Sequence, residues 1–436
     1  MAVLFGFVAL ALPAGVIALL VRAIRRKQPT QWSTSASSHV PTGPSSPAAI
    51  RRSLAAIRAW DPEFSVSLWE DFAQALYAEA HRLRGEGRLD LLAPYLTKPA
   101  REALEKIGAN PVTAIVVGAM RPVAFSPGRA RGQRTHLTVE LEACYTEQLR
   151  DEQRSYYVLE RWTFARANAA RSRPPERVRV FACPNCGAPL ERVVGGSCKH
   201  CNRVVDGGDF DWLVERVVPM ERKRRPPVLT GTTPEQGNDR PTIVDPGLRA
   251  ELDAIHRRDP DFRYPALQAR VELIFGSLQR AWSTLAWEEA RPYLTDSLHQ
   301  SMSYWIRAYR EQGLRNVTER ARIVRLEPAR VVSDRWFDAV TVRIFATGLD
   351  YTVQTANGDA VVGGSRDRER AYTEYWTLVR GVARKGATRT SAECPQCGAP
   401  LQIDATALCR YCGVKVNSGE FDWVLSRIEQ DDVYEG

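Results

Sequence analysis

The chain opens on an uncharged run of twenty residues, Ala2–Val21. As a helix this run would rise about 30 Å, the thickness of a bilayer core. Gly6, Pro13 and Gly15 within it are tolerated in membrane helices. Arg22, Arg25, Arg26 and Lys27 follow at once. Positive charge after the run, not before it, predicts a transmembrane helix over 2–21 and argues against a cleaved leader. It puts the N-terminus outside and the rest of the chain at the cytoplasmic face of the cell membrane. Residues 22–50 are rich in Ser, Thr and Pro and read as a flexible tether.

Further on, the pattern is that of folded domains. Leu68, Phe72, Leu76, Ala80 and Leu83 recur at helical spacing, which predicts a helix over Val66–Arg84. Ser67 and Glu70 stand at the spacing of a capping box at its start. Leu137, Val139, Leu141, Ala143 and Tyr145 alternate with polar residues, as do Val340, Val342, Ile344 and Ala346. These are half-buried strands, and Asn357-Gly358 between apolar runs is a hairpin turn. Helices followed by strands predict an α+β fold, with helices packed on one face of a curved antiparallel sheet.

The pattern occurs twice. Asp61-Pro62-Glu63-Phe64 returns as Asp259-Pro260-Asp261-Phe262, and Pro94-Tyr95-Leu96-Thr97 as Pro292-Tyr293-Leu294-Thr295, both at an offset of 198. Arg161-Trp162-Thr163 is echoed by Tyr375-Trp376-Thr377 at 214. Gly208-Asp209-Phe210-Asp211-Trp212 returns as Gly419-Glu420-Phe421-Asp422-Trp423 at 211. An ordered set of matches is an internal duplication. Two tandem domains follow, 51–218 and 248–430, joined by a linker over 219–247.

Eight of the nine cysteines fall into two identical frames. They are Cys183-x2-Cys186-x11-Cys198-x2-Cys201 and Cys394-x2-Cys397-x11-Cys409-x2-Cys412. Four thiolates in paired CxxC knuckles suit a tetrahedral zinc ion, so two structural Zn2+ ribbons are expected, 183–201 and 394–412. Gly187, Gly398, Gly413 and Asn202 follow the knuckles, where positive φ suits the turn. Disulfides would require the domains to lie outside the cell, and redox-active dithiols are a further alternative. His200 lies inside one knuckle, but the other copy has Tyr411 there, so His200 reads as a bystander. The paired Phe210/Trp212 and Phe421/Trp423 are expected to pack under the ribbons. Cys144 lies on the strand face opposite Leu141 and is expected to pack under a neighbouring element.

Taken in order, DPxF before an amphipathic helix, PYLT, a sheet with ERWTFAR or TEYWTLVR, the CPxCGAPL ribbon and G-[DE]-F-D-W resemble the Tim44-like domain family, in particular bacterial members carrying zinc ribbons. The resemblance implies a cone-like α+β fold, similar to the nuclear-transport-factor-2 (NTF2-like) superfold, with an apolar cavity between helices and sheet. It also implies work at membranes, where family members bind anionic lipid, recruit protein-import components or dock ribosomes. The long charged segment that engages the import motor has no counterpart here, so an import role does not carry over.

Charge refines the picture. Lys and Arg number 60 against 51 Asp and Glu, a net +9. The first block holds 25 basic against 21 acidic residues, and residues 248–436 hold 26 of each. The excess lies beside the predicted membrane span. Arg22, Arg25, Arg26 and Lys27, with Arg121, Arg129, Arg131 and Arg134, are candidate contacts to an anionic surface. Arg166, Arg171, Arg173, Arg177 and Arg179 form a second basic cluster. No phosphate-binding loop, dinucleotide fingerprint, zinc-protease helix or nucleophile elbow is present. The expectation is therefore a non-enzymatic binding or scaffold protein, membrane-anchored, for lipid or protein segments. A ribosome- or RNA-binding adaptor is the alternative, disfavoured by the neutral second block, and an enzyme using the cavity is a more distant one.

Overall fold

The computed structural model describes residues 46–128, 132–227, 229–230, 235, 237–404, 407–431 and 433–436. The expected membrane span and most of the tether lie outside them. Among the described residues no helix is long and apolar enough to cross a membrane. The last tether residues are folded. Ser46 caps helix α1 (Pro47–Ser53), and Ala48 and Ile50 are buried, so the first domain begins before residue 51.

The first copy continues with α2 (Val66–Gly85), α3 (Lys98–Glu105), β1 (Val112–Ser126), β2 (Arg134–Leu149) and β3 (Glu152–Ala167). The cysteine ribbon follows, with β4 (Val193–Val194) and β5 (Ser197–Cys198), and then β6 (Leu213–Arg224). The second copy repeats the series as α4 (Leu248–Arg258), α5 (Tyr264–Ser283), α6 (Asp296–Glu311), β7 (Leu314–Ser333), β8 (Phe337–Gln354), β9 (Ala360–Gly381) and β10 (Val424–Gln430). Each copy has a four-stranded antiparallel sheet, ordered β1-β2-β3-β6 and β7-β8-β9-β10. The strand after each ribbon returns to pair with the strand before it. The five alternating residues of β2 are fully buried, and so are their counterparts in β8, beneath the apolar faces of α2 and α5. The α+β reading describes the fold, and the order of helices and strands in the first half recurs in the second. The Asn357-Gly358 turn is present, with Gly358 left-handed at φ +58°.

Three expectations need correction. Ser67 and Glu70 form no capping box. Ser65 caps α2, accepting from the Leu68 amide at 3.2 Å, and Glu70 instead pairs with Arg51 and Arg427. The reason is burial: Glu70 lies inside the contact between the copies, where two guanidiniums compete for it. Next, Trp212 and Trp423 do not pack under the ribbons. They join the main cores, and Phe210 alone packs on its ribbon. Finally, residues 219–224 belong to β6, an edge strand whose charged residues discourage pairing with other chains. The linker beyond it binds the outer face of the second sheet. Buried Arg343 donates to the carbonyls of Arg240 (2.7 Å) and Gly237 (3.0 Å), and the Asp245 amide donates to Ala329.

The recurring motifs converge on one construction. Arg166 pairs with Asp61 at 2.8 Å, and Arg380 with Asp259 at 2.9 Å. Each guanidinium lies over two rings, Phe64 (5.8 Å) and Trp212 (5.0 Å) in one copy, Phe262 (5.8 Å) and Trp423 (4.8 Å) in the other. The PYLT segments dock on the last strand in equivalent ways, the Thr97 amide donating to Val214 (3.0 Å) and the Thr295 amide to Leu425 (2.9 Å).

The copies also pack on one another. Phe337, Ala339, Val379 and Val424 of the second copy belong to the core of the first. The Trp336 indole donates to the Glu63 carbonyl at 2.9 Å, and Ser297 to Asp71 at 2.8 Å. Breaking the Asp61–Arg166 pair strands a buried guanidinium, so Asp61→Ala is expected to cost about 3–5 kcal/mol in urea denaturation. Glu79→Ala, which removes a surface pair with Arg82, is expected to cost less than about 1 kcal/mol.

Candidate binding cavity and metal centres

Four cysteine sulfurs meet in each ribbon, all within 4.8 Å of one another. The resolved edges are 3.9 Å for Cys183–Cys201, 3.8 Å for Cys186–Cys198, 3.8 Å for Cys394–Cys412 and 3.9 Å for Cys397–Cys409. A tetrahedron of thiolates around an ion at about 2.3 Å has edges of about 3.8 Å, so both tetrads can hold a metal ion. Disulfide bonding requires about 2.05 Å, and all eight cysteines are free. The knuckles are built alike. Gly187, Asn202, Gly398 and Gly413 have φ of +76°, +55°, +72° and +70°, and each amide donates to the carbonyl of the first cysteine of its knuckle. The Asn185 side chain bonds Cys201 and helps bring its thiol down to about 6, which favours the ligating thiolate.

The ninth cysteine, Cys144, is half-buried on the outer face of the first sheet, and burial pushes its thiol up to about 11. Tyr304 of α6 lies against this face, with hydrogen bonds to Ser155 and Thr146, so the element over Cys144 is a helix of the other copy.

The cationic candidates are mostly committed to the fold. Arg121 pairs with Glu142 at 3.3 Å and Arg134 with Glu215 at 3.0 Å. In the second cluster, Arg166 is buried, Arg171 donates to the Trp60 carbonyl, Arg173 pairs with Asp211, and Arg179 reaches Ser297 and Gln300 of the other copy. Arg22, Arg25, Arg26, Lys27, Arg129 and Arg131 lie outside the described residues.

A continuous cavity of about 1700 Å³ occupies the second copy and opens into the cleft between the two. Its inner walls are Leu278 and Trp282 of α5, Leu298 and Met302 of α6, and Tyr372 and Trp376 of β9. Carboxylates stand deep in it. Asp350 bonds the Asn316 amide at 2.8 Å and Arg370 at 2.9 Å, and Arg370 also pairs with Glu235 from the linker. Glu374 accepts from the Trp376 indole and from Gln430, both at 2.9 Å. Burial pushes Glu374 up, and it pushes Glu235 up to about 7. Of these residues the sequence pattern marked Trp376, as the echo of Trp162, and gave no sign that it faces a cavity.

At the corresponding place in the first copy, side chains stand where the second copy is open. The helices superimpose in sequence at the offset of 198, so His81 and Arg84 correspond to Gln279 and Trp282. Val139 pairs with Trp162 as Val342 pairs with Trp376, which makes Tyr145 the counterpart of Gly348 and Glu147 that of Asp350. The ring of Tyr145, the imidazole of His81 and the guanidinium of Arg84 fill the space, all but inaccessible to solvent. A Cβ on Gly348 would meet the Ala321 backbone at 2.9 Å, so β7 approaches closely where the first copy carries a ring.

Fold and site together define an α+β protein with antiparallel sheets, two tetracysteine clusters and an open cavity. Residues 248–389 match the family model of the Tim44-like domain, which supports the Tim44-like reading of this part of the chain. Among solved structures, an Ntf2-like protein involved in plasmid conjugation is similar at 8% identity, over 78% of this chain and 84% of that one. The TM-score is 0.15, a likeness that carries no argument. No curated protein matches the chain.

Metal content tests the tetrads. Elemental analysis is expected to find two ions per chain, one in Cys198→Ser, and none when Cys409→Ser is added. Metal-free protein with a mass lowered by paired cysteines would contradict the assignment.

Proposed function

We propose that this chain is a membrane-anchored, non-enzymatic binding protein whose second domain receives a lipid or another apolar ligand at the cytoplasmic membrane face. The observation that carries the reading is the cavity, walled by indoles and aliphatic side chains and larger than the roughly 300–1,000 Å³ of an ordinary small-ligand pocket. The sequence of residues 2–27 supports a single-pass anchor with the N-terminus outside. Arg22, Arg25, Arg26 and Lys27, with Arg129 and Arg131, would face anionic headgroups, each worth about 1 kcal/mol there. The resemblance of the first copy's motifs supports reading it as a second Tim44-like domain.

The metal in both ribbons is zinc on this reading. Four thiolates leave no open coordination position, so its role is structural. The ribbons are small, with a local cluster of buried residues in the first made of Cys183, Ala188, Cys198 and Val205, and a metal substitutes for the core they lack.

Native mass spectrometry of the full-length protein released from lipid nanodiscs tests the proposal. Two zinc ions and a retained adduct of lipid mass are expected. Ser301→Trp, which places a ring in the cavity wall, is expected to lose the adduct and keep the zinc. A protein with two zinc ions and no adduct, copurifying instead with a membrane protein, would contradict the cavity reading and favour a scaffold.

A further inference from the structure

The two copies differ most in what neutralises the carboxylates at the bottom of the fold. In the first copy, Glu160 lies 3.3 Å from the His81 imidazole, and Glu147 pairs with both Arg84 (2.9 Å) and Arg222 (2.8 Å). Every negative charge there has a cationic or imidazole partner supplied by the chain itself, and side chains fill the volume. In the second copy, Glu374 stands where Glu160 does, one strand position pair from an equivalent tryptophan. The residue matching His81 is Gln279, which bonds the Tyr372 hydroxyl at 3.3 Å instead. Glu374 makes no ion pair among the described residues. Asp350, Glu235 and Glu374 together face one guanidinium, Arg370.

From this comparison we infer that the cavity of the second copy takes an amphiphile whose end group is a cation, an ammonium on a long apolar stem. The inference rests on the proposed function of that cavity. The ligand's cation takes the place that His81 fills in the first copy, beside Glu374. Its stem runs along Trp282 and Trp376 towards the cleft. Indole faces favour such a cation as well as the stem. A single Lys or Arg side chain would leave most of the volume empty, which points to a long-chain molecule and away from a peptide residue. The direction of titration agrees. Burial raises Glu160 as well, yet its charged neighbours, His81 foremost, hold it below the usual carboxylate range, whereas burial prevails at Glu374. A buried carboxylate held by two neutral donors, the Trp376 indole and the Gln430 amide, and by no ion pair among the described residues is a cost that a bound cation reduces.

The test is competition among dodecylamine, dodecanol and dodecanoate for the full-length protein in nanodiscs, read by native mass spectrometry. Retention of the amine is expected to exceed that of the alcohol by about tenfold or more, the equivalent of one buried charge contact. Glu374→Gln, which keeps the shape and removes the charge, is expected to abolish that preference while still retaining the alcohol. Gln279→His, which restores the first copy's arrangement, is expected to do the same. Equal retention of all three, or preference for dodecanoate, would overturn the cationic end group and leave the cavity reading standing. Retention of none would overturn both.

Discussion

The fold of each copy depends on a buried guanidinium. Arg166 and Arg380 leave the third strand of their sheets and enter the core, where charge is expensive. The DPxF aspartate neutralises the charge, and the phenylalanine of the same motif and the tryptophan of G-x-F-D-W cover the two sides of the group. Three segments far apart in the chain are thereby tied together: the entrance to the long helix, the end of the meander, and the return from the ribbon. The same aspartates also accept backbone amides, from Ser172 in one copy and Gly386 in the other, which fixes the start of the excursion to the ribbon. With that node in place, the cysteine ribbon is held as an appendage on a sheet already closed by its fourth strand.

This explains why the most visible motifs say little about the ligand. The residues that recur between the copies are those the architecture needs twice. Tyr95 of PYLT donates to the Ala182 carbonyl at the base of the ribbon, and its Leu and Thr dock on β6. The residues that differ, His81 against Gln279, Arg84 against Trp282 and Tyr145 against Gly348, decide whether the interior is filled or open. One copy has closed its interior with its own side chains. The other keeps an interior with indoles and aliphatic side chains along its walls and the carboxylates Glu235, Asp350 and Glu374 among its lining. Because the second copy also contributes Phe337, Val379 and Val424 to the first copy's core, the closed copy braces the open one, and the cleft between them extends the cavity.

Legibility in the sequence followed the range of the interaction. The alternation in β2 is a local pattern, and burial followed it residue by residue from Arg134 to Leu141, whereas in β8 Thr341 and Arg343, on the opposite face, are buried as well. The cysteine frames were equally plain, because a CxxC knuckle brings its own geometry. The Asp61 motif was visible, but its partner was not: Arg166 lies 105 residues away and looks like one member of a basic cluster. The same distance effect hid the pairing of Arg121 with Glu142 and of Glu70 with Arg427, which turn apparent surface charges into internal ties. The cavity was least legible, since it arises from missing volume across a helix and two strands. It becomes visible in the sequence only when the copies are aligned position by position.

The claim that one copy is open to an amphiphile and the other closed is tested most directly by anomalous diffraction from crystals of the protein grown with 12-bromododecylamine. The account predicts a bromine peak in the second copy's cavity or its mouth, none inside the first copy, and a metal peak in each ribbon. Bromine among His81, Arg84 and Tyr145, or no bromine in either copy, would contradict it.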